Sequence, residues 1–423
     1  MRCPVRAGVV VLAATVLVAC AGTGGDPEPS ATPRAERPAE VLDLVGDPNA
    51  PAPLAFEPEA AHVIPTGRVD FPTITLNGRA AWFSHASGVT VYDLATGRPV
   101  TEIRVQNTPT YEVPAPGELT RKQAGLLRDR VTEPEPVRVG GVPAMFTVVP
   151  VQIGQDGGAA QAGFEVIVAR ADNGKVIWRL PVDIYGDPAG ELGALLVSAD
   201  ADKVAVTWTE DGAPRGAFAV ALDEPRVLWQ RPGFWLVDGH DEALLGFRVE
   251  PDQTYSLAGV GIADGRDLWH KKVPAGVTWA TKETGGPLAE LEDDSKQARL
   301  IEIATGDFAL SKDDGLTKRM YCGHGAGGSV VLCASKQDGM IAVSDTGEIL
   351  WRRAAGDGPD WKAEVEAVFR DVAYAVGEGG TFVLDARTGR KLGGDPGVVP
   401  DRVGAHAALV FTGAGTEVHL PRR

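Results

Sequence analysis

A short phrase returns along this chain at a nearly constant interval. An apolar run, a tight turn that ends in glycine and a second apolar run follow one another, as in GMIAVSDTGEILWRRA at 339–354. The turn glycines Gly265, Gly306, Gly347 and Gly389 are 41, 41 and 42 residues apart. An interval of about 40 residues that contains only strand signals predicts a β-propeller, in which each repeat forms one four-stranded blade.

The blade count follows from hairpin signals, which occur near 80–97, 141–170, 200–222, 240–264, 284–304, 328–346, 370–387 and 405–420. They predict an all-β, eight-bladed propeller, with a seven-bladed ring containing one distorted unit as the alternative. The last hairpin has no outer strand of its own. We expect the segment PLAFEPEAAHVIP at 53–65 to supply that strand, because an unclosed ring would expose a sheet edge.

Four tryptophans occupy equivalent places in the repeats. Each lies four residues after a turn position, which is Gly174, Pro225, Gly265 or Gly347; the tryptophans are Trp178, Trp229, Trp269 and Trp351. An indole at the start of the outer strand can wedge between adjacent blades and donate its N–H to a carbonyl. The regular, peripheral spacing favours this packing role over an aromatic ligand cage.

The N-terminus has the pattern of an export signal. Arg2 and Arg6 precede an apolar run that is short for a membrane span, and the run ends in LVAC at 17–20. This ending resembles the lipobox of bacterial lipoproteins, which implies lipidation of Cys20 and attachment to the outer side of the cell membrane. An ordinary secretory signal and a short buried helix are the alternatives. We expect a signal peptide at 1–19, a disordered tether at 20–53 and the propeller at 54–423.

Charge and cysteine usage agree with an extracytoplasmic protein. The formal net charge is −16, which disfavours nucleic-acid binding. Apart from Cys3 in the signal and Cys20, the chain contains only Cys322 and Cys333, on two apolar runs joined by a glycine-rich loop. A hairpin would place the two sulfurs opposite each other, which predicts a disulfide, with two unpaired buried thiols as the alternative.

The largest departure from the repeat is an insertion near 107–141. Its segment ELTRKQAGLLRDRV at 118–131 is locally basic on an acidic protein, and it favours about three turns of helix. Its cations are possible partner contacts: Arg121, Lys122, Arg128 and Arg130. A passive loop insertion is the alternative.

The repeated phrase resembles the quinoprotein, or PQQ-like, propeller repeat. YDLATG at 92–97 and LDARTG at 384–389 match its Asp-x-x-Thr-Gly part, and DNGKVIW at 172–178 and DTGEILW at 345–351 match its turn and tryptophan. The likeness extends over about 79–420. Enzymes of this family bind pyrroloquinoline quinone and calcium, and typically stack the quinone on adjacent, disulfide-linked cysteines. No Cys-Cys pair and no haem motif occur here, so we expect no cofactor and leave a metal site open.

Other motifs do not indicate catalysis. GHGAGG at 323–328 fits the dinucleotide-binding pattern, but a strand follows it where a helix is required. The seven histidines show no close ligand spacing, and the chain contains no nucleophile-elbow or zinc-protease motif. We therefore expect a non-catalytic, lipid-anchored scaffold that binds an envelope protein, similar to BamB-type scaffold lipoproteins. The alternative is a propeller that binds a small molecule or glycan in its central funnel, and a quinone-dependent dehydrogenase ranks third.

Overall fold

The computed structural model describes residues 44, 49–66, 73–110, 130–154, 161–184, 190–199, 202–250, 254–273, 277–280, 286–293, 298–310, 320–325 and 328–422. The chain divides into two units, Met1–Val41 and Leu42–Arg423. The described residues all belong to the second unit and contain many β-strands, two 3-10 turns and no α-helix. None of their helical segments has the length and apolarity needed to cross a membrane.

The strands, in chain order, are β1 (His62–Ile64), β2 (Ile74–Asn77), β3 (Ala80–His85), β4 (Gly88–Asp93), β5 (Pro99–Arg104), β6 (Thr108–Pro109), β7 (Glu135–Val139), β8 (Val142–Ile153), β9 (Gln161–Arg170), β10 (Val176–Asp183), β11 (Leu192–Ala199), β12 (Lys203–Glu210), β13 (Ala213–Ala221), β14 (Arg226–Pro232), β15 (Phe234–His240), β16 (Ala243–Val249), β17 (Tyr255–Gly261), β18 (Asp267–Lys272), β19 (Val277–Ala280), β20 (Leu288–Asp293), β21 (Ala298–Glu302), β22 (Phe308–Leu310), β23 (Tyr321–His324), β24 (Val330–Ser335), β25 (Gly339–Ser344), β26 (Ile349–Ala354), β27 (Ala363–Phe369), β28 (Val372–Gly377), β29 (Gly380–Asp385), β30 (Lys391–Gly393), β31 (Arg402–Val403), β32 (Ala408–Thr412) and β33 (Gly415–His419). The 3-10 turns, Ala355–Asp357 and Pro359–Trp361, lie between β26 and β27.

These strands form eight antiparallel sheets, and the chain is an eight-bladed β-propeller. Blades 1 to 7 begin at β2, β6, β11, β15, β19, β23 and β27, and blade 8 consists of β31, β32, β33 and β1. The first strands of neighbouring blades contact each other, as β2 does β31 and β27 does β31, so they are the innermost strands around the channel. The predicted eight hairpins are all confirmed, and the seven-bladed alternative is wrong.

The core lies between the blades. Eight clusters of buried apolar side chains fill the eight junctions between neighbouring sheets. Middle strands are apolar on both faces because each face packs against another blade; β3, β4 and β24 are buried along their whole length. This explains why strand runs in the sequence are continuously apolar rather than alternating.

The glycine and the tryptophan of the repeated phrase contact each other across neighbouring blades. The indole Nε1 of Trp269 in blade 4 donates to the carbonyl of Ile303 in blade 5 at 3.0 Å. The same ring covers Gly306, where a Cβ would lie 2.8 Å from it. The bond recurs at the other predicted positions: Trp178 to Leu222, Trp229 to Ile262 and Trp351 to Ala386. The predicted packing role of the four tryptophans is confirmed.

The N-terminal strand closes the ring. In blade 8, β1 pairs with β33 in the register His62↔Val418, Val63↔Glu417 and Ile64↔Thr416. His62 makes the contacts that a tryptophan makes in other blades. Its Nε2 lies 2.7 Å from the carbonyl of Ala95, and its side chain covers Gly97. The prediction that residues 53–65 supply the missing outer strand is confirmed.

Ordered contacts begin earlier in the chain than the predicted boundary at 53–54. Leu44 is buried in the junction of blades 1 and 2, and its carbonyl accepts the N–H of Arg79. The carbonyls of Asn49 and Pro53 accept hydrogen bonds from Arg370 and Tyr374. Sequence analysis places these residues in the tether because Pro-rich, low-hydrophobicity segments rarely order on their own. Here tertiary hydrogen bonds hold them against the propeller.

Candidate functional site

Most of the predicted contact residues lie outside the described part of the chain. These are the lipidation candidate Cys20 and three of the four insertion cations, Arg121, Lys122 and Arg128. Lipidation and the partner-contact hypothesis therefore stay predictions. Arg130 is described, and its guanidinium pairs with the carboxylate of Glu191 while the side chain is only 13% exposed. Its backbone carbonyl also accepts the N–H of Ala194 in blade 3, so Arg130 takes part in packing between blades.

The insertion interrupts the innermost strand of blade 2. The short strands β6 and β7 both pair with the long strand β8. Thr110 donates its N–H to Pro150, and Thr132 donates its N–H to Val148. The described residues on the two sides of the insertion thus bond positions of β8 that are two residues apart. Both ends of the insertion lie at the strand that borders the central channel.

A buried carboxylate holds the chain where it enters blade 2. Glu165 is 1% exposed and accepts the backbone N–H groups of Gln106 and Asn107 at 2.9–3.0 Å. It also accepts hydrogen bonds from the Nδ2 of Asn107 at 2.8 Å and from the guanidinium of Arg179 at 2.6 Å. This bonding compensates the cost of burying the charge. It fixes the position from which the insertion starts.

A small ionisable group lies at the channel wall beside the insertion. Glu133, which precedes β7 of blade 2, and Arg402 of blade 8 form an ion pair at 3.1 Å. Burial raises the pKa of the nearby Glu135 carboxyl to about 7, and the charge of Glu133 adds to the rise. No sequence signal marks this group, because its members are far apart in the chain.

The two cysteines of blade 6 face each other. Cys322 on β23 and Cys333 on β24 are register partners, and their sulfurs are joined at 2.02 Å. The backbone N–H of Cys322 also donates to the buried carboxylate of Glu290 in blade 5 at 2.9 Å. The disulfide therefore braces an innermost strand within a junction between blades, and it lies away from any exposed surface.

The dinucleotide-like motif lies between two paired strands. Its first two residues end β23 and it is followed by β24, and a Cβ on Gly325 or Gly328 would lie 2.4–2.5 Å from the carbonyl of Arg370 in blade 7. These glycines permit a close approach of two backbones and do not open a helix.

One serine, one histidine and one carboxylate lie close together in blade 4, on β17, on β18 and directly after β16. The sequence analysis did not single them out. Nε2 of His270 lies 2.7 Å from the hydroxyl of Ser256 and 3.0 Å from Oε1 of Glu250. In a nucleophilic triad the carboxylate and the hydroxyl bond opposite nitrogens of the ring. Here both contact the same nitrogen, and Ser256 itself donates to Glu250 at 2.5 Å. Ser256 is 2% exposed. The three hydrogen-bonded groups connect β17 and β18 with the residue that follows β16.

No cluster of three or more histidine, cysteine or carboxylate side chains suited to a metal ion occurs among the residues that the structure describes. Some of the buried polar groups connect blades. For example, the hydroxyl of Thr207 in blade 3 accepts the N–H of Leu236 and donates to its carbonyl, at a bulge in the innermost strand of blade 4.

Comparisons with known proteins give similar folds. No protein-family model and no curated protein matches the sequence. Solved structures with a similar architecture include the computationally designed protein Ika8, at 12% identity and a TM-score of 0.46 over 88% of this chain and 100% of that one. BamB from Moraxella catarrhalis is 12% identical, with a TM-score of 0.43 over 86% of this chain and 99% of that one. Such similarity carries no conclusion about activity, and the fold assignment rests on the sheet topology.

Proposed function

We propose that this protein is a lipid-anchored propeller that binds an envelope protein outside the cytoplasm and does not catalyse a reaction. The N-terminal pattern that ends in Cys20 supports the anchor. The closed ring of eight blades supports the binding role, because loops on a rigid frame keep a fixed geometry for recognition.

The observation that carries the proposal is the position of the insertion. Thr110 and Thr132, the described residues that flank the insertion, both bond β8 beside the innermost strands of blade 2. The segment 118–131 contains four cations and two carboxylates, on a protein with a net charge of −16. A locally basic segment on an acidic body suits a partner with an acidic surface, because complementary potentials speed association and fix orientation.

The test is charge reversal within the insertion. We expect the triple variant Arg121→Glu, Lys122→Glu and Arg128→Glu to fold normally and to capture less of its main partner, measured by crosslinking and co-purification from membranes at low ionic strength. Arg130 is left unchanged because it pairs with Glu191. A matched control reverses Arg104 and Arg226, whose side chains are 75% and 60% exposed on blades 1 and 3, together with Arg390, which is exposed on blade 7.

Equal capture by the triple variant and the control contradicts a role for the insertion. A further variant, Cys20→Ser, tests the anchor: the protein is expected to move from the membrane fraction to the medium. Mass spectrometry of the native N-terminus without lipid contradicts the anchor independently of partner capture.

The group at the channel wall favours the second candidate, a funnel that binds a small molecule or glycan. Glu133, Glu135 and Arg402 offer hydrogen-bonding groups of both signs beside the channel. A sugar panel separates the two functions. Binding of a glycan that is lost in Arg402→Ala, together with unchanged protein capture by the triple variant, supports the funnel and contradicts the scaffold.

A further inference from the structure

A cavity of about 580 Å³ opens between blades 4 and 5, on the face formed by their hairpin turns. Its walls are apolar and come from Ala243, Leu268 and Ile303. Its rim is acidic and is formed by Asp241 and Glu242 of the first hairpin of blade 4 and by Asp264 of the next turn. The volume lies in the range of pockets that bind ligands in other proteins.

A glycine borders this cavity at a position where several other blades carry a long or charged side chain. In four blades the turn glycine donates its N–H to the carbonyl of the residue four positions earlier, which is Asp93 in blade 1, Arg170 in blade 2, Glu302 in blade 5 and Asp385 in blade 7. In blade 4 that residue is Gly261, which bonds Gly265. The missing side chain leaves open the space that Gly261 borders.

Charge is unevenly distributed around the cavity. Of the three rim carboxylates, Asp264 has a cationic neighbour, Arg266, at 3.4 Å. Asp241 is 82% exposed and lies 3.5 Å from Nε2 of His240, which is a cation only when protonated. Among the described residues at the mouth, one guanidinium therefore accompanies three carboxylates, and their sum is negative when the carboxylates are ionised.

We propose that this cavity is a docking site for a basic and partly apolar segment of a protein partner. A lysine or arginine side chain matches it, because the aliphatic stem can pack on Leu268 and Ile303 while the cationic head reaches the rim carboxylates. The inference rests on the proposed protein-binding function and names the chemistry of one contact. It concerns a surface separate from the insertion of blade 2.

The exposure of the mouth indicates a peptide rather than a free small cation. Leu268 is 56% exposed, more than any other large apolar side chain in the described part of the chain. Small ligands are usually enclosed over most of their surface. A wide mouth with an exposed leucine at its edge instead suits a chain that continues across the surface, with apolar residues beside its cation.

Two variants test the site. Asp241→Asn with Glu242→Gln removes rim charge at nearly constant shape; asparagine tolerates the φ of +50° at position 241. Gly261→Gln fills the cavity with a side chain as long as that of Glu302 in blade 5. Its Cβ would meet only the carboxylate oxygen of Asp264, at 3.0 Å, and the more distant carbonyl of Arg266.

The probe is a labelled hexapeptide of alternating lysine and leucine, and the readout is fluorescence anisotropy at low ionic strength. We expect each variant to weaken binding about tenfold. The control Asp345→Asn with Glu348→Gln removes the same charge from the exposed turn of blade 6, and we expect it to change affinity less than twofold. A hexapeptide of alternating glutamate and leucine should not bind.

The inference is overturned by unchanged affinity in both cavity variants, by an equal loss in the control, or by competition from N-acetyl-lysine amide as effective as from the peptide. The last result assigns the site to small cations. These outcomes differ from failure of the proposed function, because capture of the membrane partner is measured separately and depends on the insertion.

Discussion

Each turn glycine has two functions in this propeller, and Gly306 shows both. Its φ of +73° belongs to the left-handed region, where a side chain is strained. In addition, the indole of Trp269 occupies the space a Cβ would need. The same contact between a turn glycine and a tryptophan of the preceding blade occurs at Gly265 and Gly389, so at three junctions the two residues of the repeated phrase pack together.

A pair of alanine substitutions separates the two functions. Gly212 has a similar φ of +77°, but a Cβ there would meet nothing within 4 Å. We expect Gly212→Ala to lower the free energy of unfolding by about 1–2 kcal/mol through backbone strain alone. Gly306→Ala should lower it by about 1–3 kcal/mol more, because the indole must move. Urea denaturation measures both, and equal losses contradict the contact between Gly306 and Trp269.

At the scale of elements, the disulfide of blade 6 joins the strands β23 and β24. It closes a loop between cysteines 11 positions apart, and the chain-entropy treatment assigns such a loop about 3 kcal/mol of stabilisation. We expect native protein, unfolded without reductant, to show no alkylation at Cys322 or Cys333, and reduction to lower the urea midpoint. Alkylation of both thiols without reductant shows that the bridge is absent in the cell.

The sequence predicted the elements well where the repeat is regular. The turn glycines at intervals of about 41 residues located the hairpins of blades 4 to 7, and apolar runs located the others, because turn chemistry and apolar runs are local signals. Contacts that depend on distant residues were not predictable. Glu165 gathers groups from 106–107 and Arg179, and Leu44 packs under blade 1. His62 replaces a tryptophan without sharing its motif.

The candidate sites were predictable to a smaller extent. The insertion was visible as a departure from the repeat, but its position within the innermost strand required the pairing of β6 and β7 with β8. The cavity between blades 4 and 5 is bordered by Gly261, which has no side chain to fill it. A single glycine in a chain with 52 of them gives no signal until its place in the blade is known.

At the scale of the whole molecule, the account depends on closure of the ring. Eight apolar junctions stabilise the propeller only if blade 8 is complete, and its outer strand comes from residues 62–64 at the opposite end of the chain. Closure gives blade 8 its fourth strand and pairs the edge of β33, which would otherwise be open to other chains. The rigid frame on which both proposed binding surfaces depend follows from this one pairing.

Cysteine crosslinking measures that pairing directly. Val63 and Glu417 are register partners on β1 and β33, and both side chains are accessible, at 48% and 32% exposure. We expect Val63→Cys with Glu417→Cys to form a disulfide on mild oxidation, identified by peptide mass spectrometry. The pair Val63→Cys with Glu364→Cys, which places the second thiol on β27 of blade 7, should remain reduced. Free thiols at both 63 and 417, or equal crosslinking in the two variants, contradict the closed eight-bladed ring.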